Sequence, residues 1–184
     1  EVAIIARSGA ESRRGEAASV ADALARFRTC RPIEAPGCID GGDVILIGRT
    51  LFVGDSTRTN SDAHEQLRGI LEPFGYEVRP VRLDSCLHLK TGATAIADDA
   101  VLCNADWVDP SIFEGLRVVE SDPDEPFSAN VVRVGSTLVA DSAWSGTNRR
   151  LAEAGFDVAH VHLGELTKAE GSVTCSSIVF SRTP

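Results

Sequence analysis

Three residues of the 184-residue sequence could together carry out nucleophilic chemistry: Cys175, His88 and Asp40. Cys175 lies in "EGSVTCSSIVF", among small polar residues and ahead of an apolar run that reads as a final strand. A core cysteine needs only apolar neighbours. A nucleophilic one needs a base, an orienting acid and access. His88 lies in "DSCLHLKTGA", just past the strand-like "YEVRPVR". Strand ends are where such folds present functional groups, yet flanked by Leu87 and Leu89 this histidine taken alone reads as a core residue. Asp40 lies in "CIDGGDV". The paired glycines read as a tight turn. Asp40 itself follows Ile39 in a partly buried run, and a buried carboxylate wants a donating or positive partner, which an imidazole supplies. In the order Asp40, His88, Cys175 the three provide orienting acid, base and thiol.

The remaining titratable residues narrow the alternatives. His64 falls among polar residues of a helix and reads as solvated. His160 and His162 share a face of "DVAHVHL", but no carboxylate or thiol stands beside them, and a plain edge strand is the better reading than a metal site. The five cysteines are irregularly spaced, with no C-x-x-C, which argues against a disulfide framework and a four-thiolate zinc site. No metal and no cofactor are expected, and the free thiols imply a reducing, cytoplasmic setting. The net charge is −9, with 27 acidic against 18 basic residues, and no basic face stands out, so nucleic acid is not an expected partner. No apolar run is long enough for a bilayer, so neither is a membrane. An acidic surface suits a cationic small substrate and is equally an ordinary solubility device.

These residues must be positioned by the elements around them. "VAIIAR" reads as a buried strand. A helix follows in "SRRGEAASVADALARF", with Ser12 as its cap and Ala18, Ala21, Leu24 and Ala25 on one face. "RPIEAP" is extended. "DVILIGRTLFVGDS" reads as a hairpin turning at Gly48-Arg49, "NSDAHEQLRGILEPFG" as a helix from Asn60 to Gly75, and "YEVRPVR" as a strand. The pattern recurs: a hairpin in "GATAIADDAVLCN", a short helix in "DPSIFEGL" opened by Pro110, and a strand in "RVVES". After the polar loop Glu120 to Ala129 it recurs again, with a hairpin turning at Gly135-Ser136, a helix in "GTNRRLAEAGF" and the strand "DVAHVHL". A repeat of strand, strand, helix, strand with a period of roughly 40–50 residues suits a stacked or propeller-like array. In such an array each repeat aims the equivalent strand end at one axis, so distant residues can meet.

The fragments "SRRGE", "IDGGDVILIGRTLFVGDSTRTN", "LHLKT" and "GSVTCSS", in this order from end to end, resemble the dimethylarginine dimethylaminohydrolases, members of the pentein or guanidino-group-modifying superfamily. The resemblance implies an α/β fold, a propeller of five ββαβ modules around a polar channel. It implies a hydrolase acting on carbon–nitrogen bonds of linear amidines, which converts Nω-methylated arginine to citrulline and a methylamine through a covalent thiouronium. In it Cys175 is the nucleophile, His88 the general acid and base and Asp40 the carboxylate orienting His88. Arg13 and Arg58 hold the α-carboxylate of a cationic amino-acid substrate, and Ala169 meets its amino-acid end through the backbone. Two departures stand out. The family's Phe-x-x-Glu-Asp stretch, whose carboxylates hold the guanidinium, has no counterpart, and Ser176 stands where the family often has a second cysteine. The sequence opens on Glu1 and contains no methionine. The expectation is a single domain over 1–184 with about four of the five modules, its ring completed by a segment ahead of Glu1 or by a second copy of the chain. An arginine deiminase-like hydrolase and a non-catalytic binding protein of the same fold stand as alternatives.

Overall fold

The computed structural model describes residues 2–83 and 85–180. These residues form one two-stranded and three three-stranded sheets. In the first unit, strand β1 (Val2–Ile5), helix α1 (Glu16–Leu24) and strand β2 (Thr29–Pro32) form a βαβ crossover, with the two strands parallel. The second unit runs β3 (Val44–Ile47), β4 (Thr50–Asp55), α2 (Ser61–Leu71) and β5 (Glu77–Arg82). The third opens with a one-turn helix, α3 (Leu89–Gly92), and continues through β6 (Ala93–Ala95), β7 (Ala100–Cys103) and β8 (Arg117–Glu120). The fourth is β9 (Val132–Val134), β10 (Thr137–Asp141), α4 (Ser145–Glu153) and β11 (Asp157–Val161), after which comes a short helix, α5 (Gly164–Lys168). In every three-stranded sheet the middle strand is antiparallel to the strand before it and parallel to the one after it. The expected strand, strand, helix, strand order therefore holds in the last three units, except that the third uses a 3-10 turn, Pro110–Phe113, as its helix.

Local chemistry accounts for the punctuation. Gly48 (φ 57°) and Gly135 (φ 63°) take the left-handed conformation that two-residue hairpins require. The Asn60 side chain accepts the Ala63 N–H at the start of α2. Three expectations fail. Ser12 does not cap α1: a 3-10 turn, Glu11–Arg13, intervenes, and the helix begins after Gly15. The half-buried face of α1 is Ala17, Val20, Ala21 and Leu24, while Ala18 and Ala25 are exposed. The apolar run after Cys175 is no strand, since residues 177–180 have no neighbouring ladder to join. His160 and His162 do lie exposed on or just past an edge strand, β11, as expected.

The units are joined through shared walls. Successive strand residues face opposite sides. In β4, Leu51 and Val53 enter a core with Ile33, Ile39 and Leu67, whereas Phe52 enters a second core with Ile45, Val101 and Phe113. In β7, Val101 and Cys103 face that second core, and Ala100 and Leu102 a third, with Leu138 and Leu151. Each core is thus built by two neighbouring units. Phe52, edge-on to Phe113 at 4.9 Å between ring centroids, contributes about 2–3 kcal/mol by burial. Among the described residues no helix is long and apolar enough to cross a membrane.

Candidate active site

The polar residues gather where chain segments enter the first strand of each unit. Asp40 precedes β3 through the 3-10 turn Gly41–Asp43, His88 caps α3 ahead of β6, and Asn130 immediately precedes Val131 and β9. Asp40 and His88 meet there, and Asn130 reaches the Lys90 carbonyl. Asp40 is 6% exposed. Its Oδ1 accepts the Ser8 hydroxyl at 2.7 Å and the Gly9 N–H at 3.2 Å, and its Oδ2 lies 3.1 Å from His88 Nε2. Burial alone would push this carboxyl up, but the hydrogen bonds from Ser8, His88 and Gly9 outweigh it and hold it below its ordinary 3.8. The sign follows: Asp40 stabilises the fold at pH above 3.8, and that contribution is lost as pH falls through the depressed value.

Because Asp40 is ionised it can only accept, so His88 Nε2 must donate to it. In the neutral ring Nδ1 then keeps its lone pair, which is the form a proton acceptor needs. The His88 side chain is 23% exposed, enough for access without full solvation. Its seat requires a glycine: a Cβ on Gly42 would lie 2.8 Å from His88 Cγ. Gly42 has no left-handed backbone, so only this contact forbids a side chain. Gly42→Ala is expected to displace the ring and lower kcat about 10-fold or more, with KM little changed. Steady-state kinetics check this, and an unchanged kcat would remove the constraint.

Sequence reasoning missed Asp43, which is fully buried. Its Oδ2 accepts the hydroxyls of Ser56 (2.8 Å) and Thr59 (2.6 Å), and its Oδ1 accepts the Leu89 N–H (3.0 Å). One carboxylate therefore ties the loop carrying Arg58 to the helix that follows His88. The available signal was a second aspartate just past the paired glycines. His64 was also misjudged. It is 4% exposed, with Nε2 3.2 Å from the Gly54 carbonyl oxygen, because it shares the buried face of α2 with Ala63, Leu67 and Leu71.

Arg58 Nη1 lies 3.9 Å from Asp40 Oδ2. Arg13 is gripped by Glu16 through two hydrogen bonds, at 3.1 and 2.9 Å, on a side chain 54% exposed. Those bonds and the Glu16 charge raise its guanidinium above the ordinary value. Burial opposes them. Ala169 follows the last residue of α5, its N–H donating to Leu166 O.

Cys175 is exposed. Its sulfur accepts the Ser172 N–H at 3.0 Å and donates to Ser172 O at 3.1 Å. Among the described residues no hydrogen bond joins it to His88. Cys86 is half-buried and Cys103 buried. Burial first, and then the Asp43 charge, push Cys86 up to about 11, and burial pushes Cys103 up to about 12. Among the described residues no cluster of three or more histidines, cysteines or carboxylates could hold a metal ion.

Repeated small α/β sheets, with polar residues leading into the first strand of successive units and an aspartate-held histidine between two of them, are the arrangement of an α/β pentein propeller. The comparisons with known proteins specify it further. The chain is 34% identical over 180 residues to the N(G),N(G)-dimethylarginine dimethylaminohydrolase of Pseudomonas aeruginosa, covering 97% of this chain and 71% of that protein. It is 40% identical over 179 residues to the protein of the same name from Streptomyces coelicolor, covering 96% of this chain and 68% of the relative. A solved structure of the Pseudomonas aeruginosa enzyme, a cysteine-to-serine variant complexed with citrulline, superposes with a TM-score of 0.88 at 33% identity over 94% of this chain and 69% of that one. No protein-family model matches. The chain belongs to the dimethylarginine dimethylaminohydrolase-like family of penteins.

Proposed function

We propose that the protein hydrolyses Nω-methylated arginine to citrulline and a methylamine, with Cys175 as nucleophile. The observation that carries this reading is the hydrogen bond between His88 and the buried, ionised Asp40, which fixes the ring in the tautomer that can exchange a proton at Nδ1. The Cys175 thiolate attacks the guanidinium carbon and forms a C–S bond. His88, which took up the Cys175 thiol proton at Nδ1 as the thiolate formed, passes that proton to the departing amine as the C–N bond breaks, leaving a thiouronium. His88 then takes a proton from water, whose oxygen bonds to the same carbon. Collapse breaks the C–S bond, returns the thiolate and releases citrulline. Arg13 and Arg58 hold the α-carboxylate, and the Ala169 carbonyl meets the amino-acid end. The relative's complex with citrulline supports this product class.

The test supplies dimethylarginine to the full chain and measures citrulline with dimethylamine, and supplies arginine and measures ammonia. Dimethylamine release is expected to dominate. Faster ammonia release from arginine, or no citrulline from folded protein, would overturn the reading. Substrate anchoring has its own signature. Glu16 competes with the substrate carboxylate for Arg13, and such an exposed pair is weak enough to be displaced. Glu16→Gln should therefore lower KM by about threefold, while Arg58→Ala should raise it about 10-fold or more by losing a charge-assisted contact. KM moving in the same direction for both would remove this assignment.

A further inference from the structure

Asn130 links the two halves of the candidate site. It is 9% exposed and held on both sides: Thr94 Oγ1 donates to the Ala129 carbonyl at 2.7 Å and accepts the Val131 N–H at 3.4 Å. Its side-chain amide uses both donors and its acceptor. Nδ2 donates to the Lys90 carbonyl (3.0 Å) and to Thr174 Oγ1 (2.9 Å), and Oδ1 accepts the Thr174 N–H (3.2 Å). Lys90 lies in the helix that His88 caps, and Thr174 is the residue before Cys175. Among the described residues, every other hydrogen bond of residues 172–180 is local, such as those within Ser172 to Ser177. Buried Val173 is the nearest apolar anchor. Among the described residues, the hydrogen-bonded link between the thiol segment and the rest therefore runs through one amide, with the Phe180 ring 5.3 Å from that of Phe27 further on.

We propose that Asn130 is a positioning residue that sets the Cys175 sulfur relative to the His88 ring by binding both of their backbone segments at once. The role rests on the reading of Cys175 as nucleophile. Only an amide fits it, since an aspartate would face the Lys90 carbonyl with an oxygen and an alanine would leave three polar groups unpaired. Such a residue acts on the geometry of attack, not on substrate affinity.

The full chain is labelled with 2-chloroacetamidine, a cationic reagent that mimics the guanidinium, and separately with neutral iodoacetamide. The modified cysteines are identified by peptide mass, and kcat, KM and thermal unfolding are measured in parallel. In Asn130→Ala, amidine labelling of Cys175 should slow about 10-fold or more and kcat should fall about 100-fold, with KM and the iodoacetamide rate within about threefold of wild type. Thr174→Val should follow in the same direction and Thr174→Ser should restore the wild-type rates. If Asn130→Ala fails to fold, the Thr174 pair decides: equal amidine rates in Val and Ser overturn the proposal. A folded Asn130→Ala with wild-type kcat and wild-type amidine selectivity also overturns it. Failure of the underlying reading looks different, because Cys175 of the wild-type chain would then react with the amidine no faster than Cys30 and Cys38, and the positioning role would fall with it.

Discussion

Cys175→Ser is expected to remove citrulline formation, a fall of about 10,000-fold or more in kcat, while leaving the fold intact. The thiol is exposed and its hydrogen bonds reach only Ser172, so no core contact is lost and the melting temperature should stay within about 2 °C of wild type. A serine hydroxyl offers no anion to attack the guanidinium carbon, and the first covalent step fails. Cys86 and Cys103, pushed up to about 11 and about 12, stay protonated at neutral pH. Cys38 Sγ accepts from the Arg7 guanidinium at 2.9 Å, and Cys38→Ser serves as the control, expected to retain activity. Citrulline production by Cys175→Ser at more than about a hundredth of the wild-type rate would show that this sulfur is not the nucleophile.

The largest effect on stability is expected from Asp43→Ala. The substitution leaves the buried Thr59 hydroxyl, the half-buried Ser56 hydroxyl and the Leu89 N–H without their acceptor and opens a cavity at a site with no exposure. Loss of such a network should cost about 3 kcal/mol or more. For a chain of this size that lowers the melting temperature by roughly 6–12 °C. Asp43→Asn keeps the shape and part of the bonding, and should lose less than half as much. Activity should fall in both, because the same carboxylate fixes the Arg58 loop and the start of α3. A melting temperature for Asp43→Ala within about 2 °C of wild type would contradict the network.

Much of this molecule was legible because its signals are local. Gly48 and Gly135 mark hairpins through their backbone freedom, Asn60 caps α2 through a bond three residues away, and the apolar run of Leu51, Phe52 and Val53 marks a strand. Where several local signals competed, the reading slipped. Ser12 had the right chemistry for a cap, but Arg13 and Glu16 paired across the following turn and the helix began later. The spacing of Ala63, His64, Leu67 and Leu71 could have placed His64 inside, had its polarity not been weighed above its position. Asp40 and His88 were found together because one implied a partner for the other. Asn130 left no such trace. Its partners lie 40 and 44 residues away, and nothing beside it in the sequence announces them.

The shared walls of β4 and β7 give this molecule a particular fragility. Asp40 belongs to one unit and His88 to the next, and Asn130 reaches across another boundary to Lys90. The chemistry therefore resides in the joints of the array and not inside any of its pieces. Mild denaturant that lets neighbouring units part by a fraction of an ångström is expected to break these contacts while every helix and ladder survives, so the far-ultraviolet signal should outlast any citrulline formation.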